Sequence, residues 1–202
     1  MEFVNEKLNE FNQYLSGKKV AIIGLGTSNV PLIEYMRKYK ANVTVFDNRN
    51  IDDIDKSIMD KVVEHGMTFS IGHDYLSKLK GFDLIFRSPS CLPNRKELIE
   101  EAKRGAIVTT EIEMLLELAP CKIIGITGSD GKTTTTTLTY EILKAKGYNV
   151  WLGGNIGTPL FTKVSEMLPE DIVVLEMSSF QLMNMKISPS ISVVTNVTPN
   201  HL

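Results

Sequence analysis

The feature that most constrains this chain is the stretch CKIIGITGSDGKTTTTT, Cys121 to Thr137. A strand-length apolar run feeds directly into a turn carrying Gly128 and Gly131, then a lysine and five threonines. That order reads as a buried strand, a tight loop and a helix N-terminus. Such a turn aims backbone N–H groups and the positive end of a helix dipole at one point, which makes an anion site. In a phosphate-binding loop, Gly128 and Gly131 let the backbone curl, Lys132 reaches the β- and γ-phosphates, and Thr133 or Thr134 offers a hydroxyl to Mg²⁺. The strict G-x-x-x-x-G-K-[ST] pattern is not met, since Ile126 stands where its first glycine belongs. The bland alternative is a glycine turn that caps a helix. Threonine is a mediocre helix former, so five opening a helix either serve phosphate and metal or are simply tolerated.

Segments on both sides alternate in type. KKVAIIGLG, NVTVFD, MTFSIG, FDLIFRSP and AIVTT read as strands. PLIEYMRKYKA, DDIDKSIMDKVVEHG (stopping at Gly66) and RKELIEEAKRG (closed by Gly105) read as helices between them. Strands alternating with helices imply a parallel sheet covered on both faces. The pattern restarts near Thr110: EIEMLLELA is an amphipathic helix, the phosphate-loop strand follows, and a helix runs from about Thr133 to Lys146. NVWLGG, DIVVLEMSS and ISVVTNV then read as strands, with PLFTKVSEML as a helix among them. The expected organisation is a Rossmann-like parallel-sheet α/β domain over 1–109, followed by a partial P-loop ATPase-like α/β domain over 110–202.

Four further motifs carry chemistry. GLGTSN, Gly24 to Asn29, resembles G-x-G-x-x-G with asparagine in the third place, and Asp47 lies 21 residues beyond Gly26 at a strand end. That is the spacing of the acid that holds a ribose in dinucleotide-binding folds, although a tight turn at a sheet edge looks the same. GGNIGTP, Gly153 to Pro159, brings backbone close to something or is merely a turn. Glu176 in VLEMSSFQL ends an apolar strand, where an acid binds Mg²⁺ or caps the next helix; Ser178 and Ser179 can cap that helix too. His201 follows the last strand, whereas His65 and His73 read as surface residues.

The 202 residues carry a net charge of -2, which gives no basic field for nucleic acid. No apolar run reaches the ~18–20 residues that span a bilayer, and the charged first residues lack a signal core. A cytoplasmic protein without membrane or nucleic-acid partners is expected. Cys91 and Cys121 read as reduced, partly buried thiols. The chain stops at NVTPNHL just after a core strand, so a truncated protein is expected, whose uncovered sheet can self-associate.

GITGSDGKTTT, GGNIGTP, LEMSSFQL and TNVTPNHL occur in the order and approximate spacing of the Mur ligases, the ATP-dependent amide-forming enzymes of peptidoglycan synthesis. SSFQL, with GGNIG before it, is most similar to the branch that adds D-glutamate to UDP-N-acetylmuramoyl-L-alanine. The resemblance implies that Gly128, Ser129, Asp130, Gly131, Lys132, Thr133 and Thr134 cradle ATP. It implies that Thr133, Glu176 and His201 hold Mg²⁺, with Lys132, Glu176 and His201 as the catalytic set. Thr27, Ser28, Asp47, Asn48, Arg49 and Ser88 would hold the UDP part, with Arg87 to Ser90 along the same cleft. Asn155 and Ser178 would face the muramoyl-alanine end. Asn29, Ser90 and Asn200 stand where the family more often has glycine, glycine and aspartate. It further implies a monomer when complete, and a fragment that cannot finish the ligation because later parts of the family's chain are absent from it. The competing readings are an NAD-dependent oxidoreductase, resting on GLGTSN and Asp47, and a nucleotide-binding module that only senses ATP.

Overall fold

The computed structural model describes residues 3–199. Its contacts form two compact units: Asn9–Glu111, and the chain from Ile112 onward together with the residues before Asn9. Helix α1 (Glu6–Tyr14) was not legible as a helix in the sequence reading. Its signal is Leu8, Phe11 and Leu15, all buried at helical spacing, and Asn5, whose side chain accepts from the Leu8 N–H at 3.1 Å as a cap.

In the first unit the order is β1 (Lys19–Ile23), α2 (Val30–Lys38), β2 (Asn42–Asp47), α3 (Lys56–Glu64), β3 (Thr68–Ile71), β4 (Leu84–Arg87), α4 (Lys96–Lys103) and β5 (Ile107–Thr109). The five strands form one parallel sheet in the order β3-β2-β1-β4-β5. Val20, Ala21, Ile22 and Ile23 are fully buried in sequence, as are Leu84, Ile85 and Phe86. Consecutive burial, rather than alternation, is what a sheet covered on both faces requires. Each of these side chains except Ala21 contributes about 1.5–3 kcal/mol by leaving water. The chain winds from β1 outward to β3, then crosses back to β4. The strand order therefore reverses beside β1, and ligand crevices form at such reversals.

One helix was expected across DDIDKSIMDKVVEHG; the structure breaks it in two. A 3-10 turn covers Ile51–Asp53. The helix proper starts only at Lys56, because the Asp55 carboxylate accepts from the Ser57 N–H at 2.8 Å and from its hydroxyl at 2.6 Å. In α4 the Glu101 carboxylate is fully buried. It accepts from the Gly81 and Phe82 amides at 2.7 and 3.0 Å and pairs with the Arg104 guanidinium, fixing the turn before β4.

The second unit runs through α5 (Glu111–Leu118), β6 (Lys122–Thr127), α6 (Lys132–Ala145), β7 (Val150–Gly154), β8 (Ile172–Glu176), α7 (Ser179–Leu182) and β9 (Ile191–Val194). Its parallel sheet has the order β7-β8-β6-β9, so the phosphate-loop strand β6 lies inside it between β8 and β9. PLFTKVSEML was expected as an α-helix. Only a 3-10 stretch, Phe161–Glu166, forms, with Phe161 and Val164 buried three residues apart on the eclipsed face that this geometry gives. Among the described residues Cys91 and Cys121 are unbonded thiols, and no helix is long and apolar enough to cross a membrane.

A buried acid ties β7 to β8. Asp171 accepts from Trp151 Nε1 at 2.8 Å, Asn149 Nδ2 at 2.9 Å and the Leu168 N–H at 3.0 Å. Burial opposes its charge, but these donors outweigh burial and hold the carboxyl below its ordinary value. A depressed carboxyl stabilises the fold above the unfolded value near pH ~3.9 and loses that contribution as pH falls below it. The chain has one tryptophan, Trp151. Its fluorescence on acid titration is expected to report loss of this contact below about pH 4. Asp171→Asn is expected to destabilise the unit by roughly 2 kcal/mol in denaturant melts and to flatten that acid limb.

Candidate functional site

All sheet strands are parallel, so the loops after their C-terminal ends gather at one edge of each unit. In the second unit that edge carries the phosphate loop after β6, Asn155 after β7, Glu176 at the end of β8, and Thr195 and Asn196 after β9.

The loop takes its shape from two glycines and a lysine. Gly128 has φ +141°, and a Cβ there would stand 2.1 Å from Thr195 Oγ1. Lys132 opens α6, and its ammonium donates back to the Gly128 and Ser129 carbonyls, 2.8 Å each. The ammonium therefore sits within the loop's own curve. The first bond leading into the helix is from the Thr135 N–H to the Gly131 carbonyl at 3.0 Å. The amides of Lys132, Thr133 and Thr134 thus precede the helical ladder, as the leading N–H groups of a helix do. The amides of Ser129 and Asp130 are committed elsewhere: they donate to Asn196 O at 3.1 Å and to Asn196 Oδ1 at 3.0 Å.

Glu176 lies beside this loop and is 1% exposed. One carboxylate oxygen accepts from the Thr133 hydroxyl at 2.7 Å, the other from Asn155 Nδ2 at 2.8 Å. The backbone repeats the link, since the Asn155 N–H donates to the Glu176 carbonyl at 2.8 Å. That approach demands glycine before Asn155. Gly154 has φ +95°, and a Cβ there would stand 2.1 Å from the Glu176 carbonyl oxygen. The three separate motifs containing Lys132 and Thr133, Asn155, and Glu176 thus converge at one edge. Ser178 caps α7, as its place before that helix suggests. Its hydroxyl accepts from the Gln181 N–H at 3.3 Å, and the Gln181 side chain returns a bond to the Ser178 N–H at 2.8 Å. His201 lies outside the described residues.

The first unit's edge is organised by Asp47, which is 3% exposed at the end of β2. Its Oδ1 accepts from the Arg49 N–H and Nε at 3.0 and 2.9 Å. Its Oδ2 accepts from the Leu25 N–H at 2.7 Å and from an Arg49 guanidinium NH₂ at 2.9 Å. A carboxylate offers about four acceptor positions, and four donors fill them here. Burial works against the charge, but the Arg49 and Leu25 bonds outweigh it and keep the carboxyl below its usual range. Arg49 also reaches the Leu25 carbonyl at 3.1 Å, closing the loop after β1 over the end of β2. Asn29 is buried, and its side chain donates to the Ile23 carbonyl at 2.8 Å, filling the turn where a third glycine would leave space. Thr27 and Asn48 are exposed, and Ser28 and Ser88 half-buried, along the same edge. The Ser88 hydroxyl is 3.0 Å from that of Ser90. Arg87 turns inward, 4% exposed, and donates to the Cys91 carbonyl. A cleft of about 520 Å³ opens here, lined by Asn48, Tyr75, Ser90, Cys91, Arg95 and Glu97 among others. Its size lies within the range of small-molecule sites. Burial raises the Tyr75 hydroxyl to about 12, so it remains a neutral donor at neutral pH.

Sequence reasoning did not pick out Thr195, Asn196 and Thr198, whose bonds span 65 to 69 residues to the phosphate loop. It also did not foresee that Asp47 would be saturated by its own neighbours.

Comparison with known proteins adds an independent line. The model of the Mur ligase middle domain matches residues 126–202, and that of the Mur ligase MurD-like N-terminal domain matches residues 18–110. The UDP-N-acetylmuramoylalanine–D-glutamate ligase of Clostridium tetani is 50% identical over 199 residues, covering 98% of this chain and 43% of that protein. The enzyme of the same name from Clostridium acetobutylicum is 47% identical over 194 residues, covering 96% and 42%. The chain thus spans about two fifths of the length of the curated relatives it matches. Among solved structures, a UDP-N-acetylmuramate:L-alanyl-gamma-D-glutamyl-meso-diaminopimelate ligase from Neisseria meningitides superposes with a TM-score of 0.52 at 18% identity, over 92% of this chain and 62% of that one. A murein peptide ligase from Psychrobacter arcticus gives 0.50 at 19%, over 91% and 44%. These two similarities speak to the fold alone.

Proposed function

The chain belongs to the Mur ligase family, and from that premise we propose that it carries the sugar-nucleotide and ATP-binding parts of a cytoplasmic ligase that joins D-glutamate to UDP-N-acetylmuramoyl-L-alanine. The observation that carries the reading is the convergence of Lys132, Thr133, Asn155 and Glu176, from three motifs, on one sheet edge. We assign residues 1–109 to the UDP-sugar domain and 110–202 to the N-terminal part of the ATP-binding domain, although the described residues before Asn9 group with the second unit.

The reaction joins a carboxylate to an amine. The terminal carboxylate of the muramoyl-alanine substrate takes the γ-phosphoryl group of ATP and ADP leaves. The amine of D-glutamate then attacks the acyl phosphate, forming the amide and releasing phosphate and a proton. The protein's task is to hold anionic groups together and balance charge on the transferring phosphoryl group. The Lys132 ammonium already sits in the curve of the loop, and the Lys132, Thr133 and Thr134 amides lead the helix toward the same point. Asn155 holds one oxygen of Glu176 and thereby orients the carboxylate at the foot of the loop.

The oxygens at that foot suit magnesium. The Thr133 hydroxyl and the Glu176 carboxylate are 2.7 Å apart, and Mg²⁺ favours oxygen ligands, usually one or two carboxylates completed by phosphate oxygens and water. Thr133 and Glu176 would hold the ion, which when bound supplies charge neutralisation to the phosphates. Among the described residues there is no cluster of three or more His, Cys, Asp or Glu that could hold a metal ion.

Calorimetric titration with ATP, with and without magnesium, tests this reading. Saturable one-to-one binding that strengthens with magnesium is expected. No binding under either condition would remove the ATP half of the proposal.

A further inference from the structure

We propose that Asn196 and Thr195 are positioning residues for the phosphate loop, determining which of its amides face the bound anion. The inference rests on reading that loop as the ATP site. The segment after β9 forms a wall along the loop. The Asn196 side chain makes a reciprocal pair with Asp130: Oδ1 accepts from the Asp130 N–H at 3.0 Å, and Nδ2 donates to the Asp130 carbonyl at 3.0 Å. The Asn196 carbonyl accepts from the Ser129 N–H at 3.1 Å. The Thr195 hydroxyl lies 2.6 Å from the Asp130 carbonyl and 3.2 Å from that of Thr127, its single proton serving one of them. A second reciprocal pair joins the Ser129 hydroxyl to Thr198, whose carbonyl accepts at 2.8 Å and whose N–H donates at 2.9 Å.

These bonds divide the loop's donors into two sets. Ser129 and Asp130 turn their amides toward the wall and are consumed there. Lys132, Thr133 and Thr134 keep theirs at the head of α6. The Asp130 carbonyl, which would repel a phosphate, is held by donors on the wall. Gly128 completes the arrangement, since any Cβ there would collide with Thr195 Oγ1. Asn196 is exposed and packs in no core, so its truncation affects loop geometry rather than the fold.

The test is titration of the whole chain and its Asn196→Ala, Thr195→Val and Thr195→Ser variants with MgATP, alongside thermal melts. Loss of two hydrogen bonds is expected to weaken MgATP binding about tenfold in Asn196→Ala, and loss of one about fivefold in Thr195→Val. Thr195→Ser, which keeps the hydroxyl, is expected to stay within about twofold of the parent, on the same hydrogen-bond scale. Melting temperatures and affinity for the UDP-sugar are expected to stay unchanged. Parental affinity in both Asn196→Ala and Thr195→Val would overturn the proposal. So would losses that merely follow a lowered melting temperature and that serine does not rescue. Absence of MgATP binding by the parent chain would remove the ATP reading itself, and this inference with it.

Discussion

Replacing Lys132 by alanine is expected to weaken MgATP binding by about two orders of magnitude while leaving the melting temperature of the chain nearly unchanged. The side chain is half-buried in the loop and bonds only to loop carbonyls, so no core depends on it. Among the described residues it is, however, the one ammonium bonded within the curve where phosphate charge would gather. Lys132→Arg is expected not to restore binding, because a planar fork cannot place a compact charge between the Gly128 and Ser129 carbonyls. Glu176→Gln completes the set. It keeps the volume but removes the charge beside Thr133, so the magnesium-dependent part of ATP affinity is expected to disappear while the magnesium-free part remains. Calorimetry on all three variants checks this. An unaltered ATP affinity in Lys132→Ala would show that the loop does not bind phosphate through this side chain.

The second large effect concerns the fold beneath the site. Gly154→Ala is expected to cost roughly 3–5 kcal/mol, combining left-handed backbone strain with a collision against backbone. The added methyl would meet the Glu176 carbonyl at 2.1 Å, and a carbonyl within a sheet cannot step aside as a flexible side chain can. β7 pairs with β8 in a register that places Gly154 opposite Glu176, so relief must come from parting the strands where Asn155 meets the carboxylate. Since small proteins are stable by only about 5–15 kcal/mol, this single methyl takes a large share. Urea unfolding followed by Trp151, which lies on β7, measures it directly. An unfolding midpoint equal to the parent's would mean that the close approach at Gly154 is not obligatory.

Much of this architecture could be read from the chain. The strands appear as short apolar runs ended by glycine or an acid, because a sheet covered on both faces needs unbroken hydrophobicity. The turns declare themselves through glycine, and the phosphate loop through its place between a buried strand and a helix. What escaped the reading depended on long-range or competing contacts. Asn196 bonds to Asp130 across 66 residues, and nothing local in TNVT announces it. Asp47 was read as an acid awaiting a ribose, but Arg49 two residues away and the Leu25 amide fill its acceptors. The two residues are close in sequence, but the burial that makes them pair is not a local property. PLFTKVSEML has helical composition, yet Phe161 and Val164 seat at 3-10 spacing, so packing overrode propensity.

What the first unit recognises decides whether this chain carries a sugar-nucleotide site in addition to its phosphate loop. Its sheet order and its GLGTSN turn would suit a dinucleotide, while buried Asn29 fills the turn and Asp47, its acceptors taken by Arg49 and Leu25, offers no open oxygen to a ribose. The decisive measurement is calorimetric titration of the chain with UDP-N-acetylmuramoyl-L-alanine, with NAD in parallel. One-to-one binding of the UDP-sugar and none of NAD is the expected result. Binding of NAD without the UDP-sugar would contradict the account.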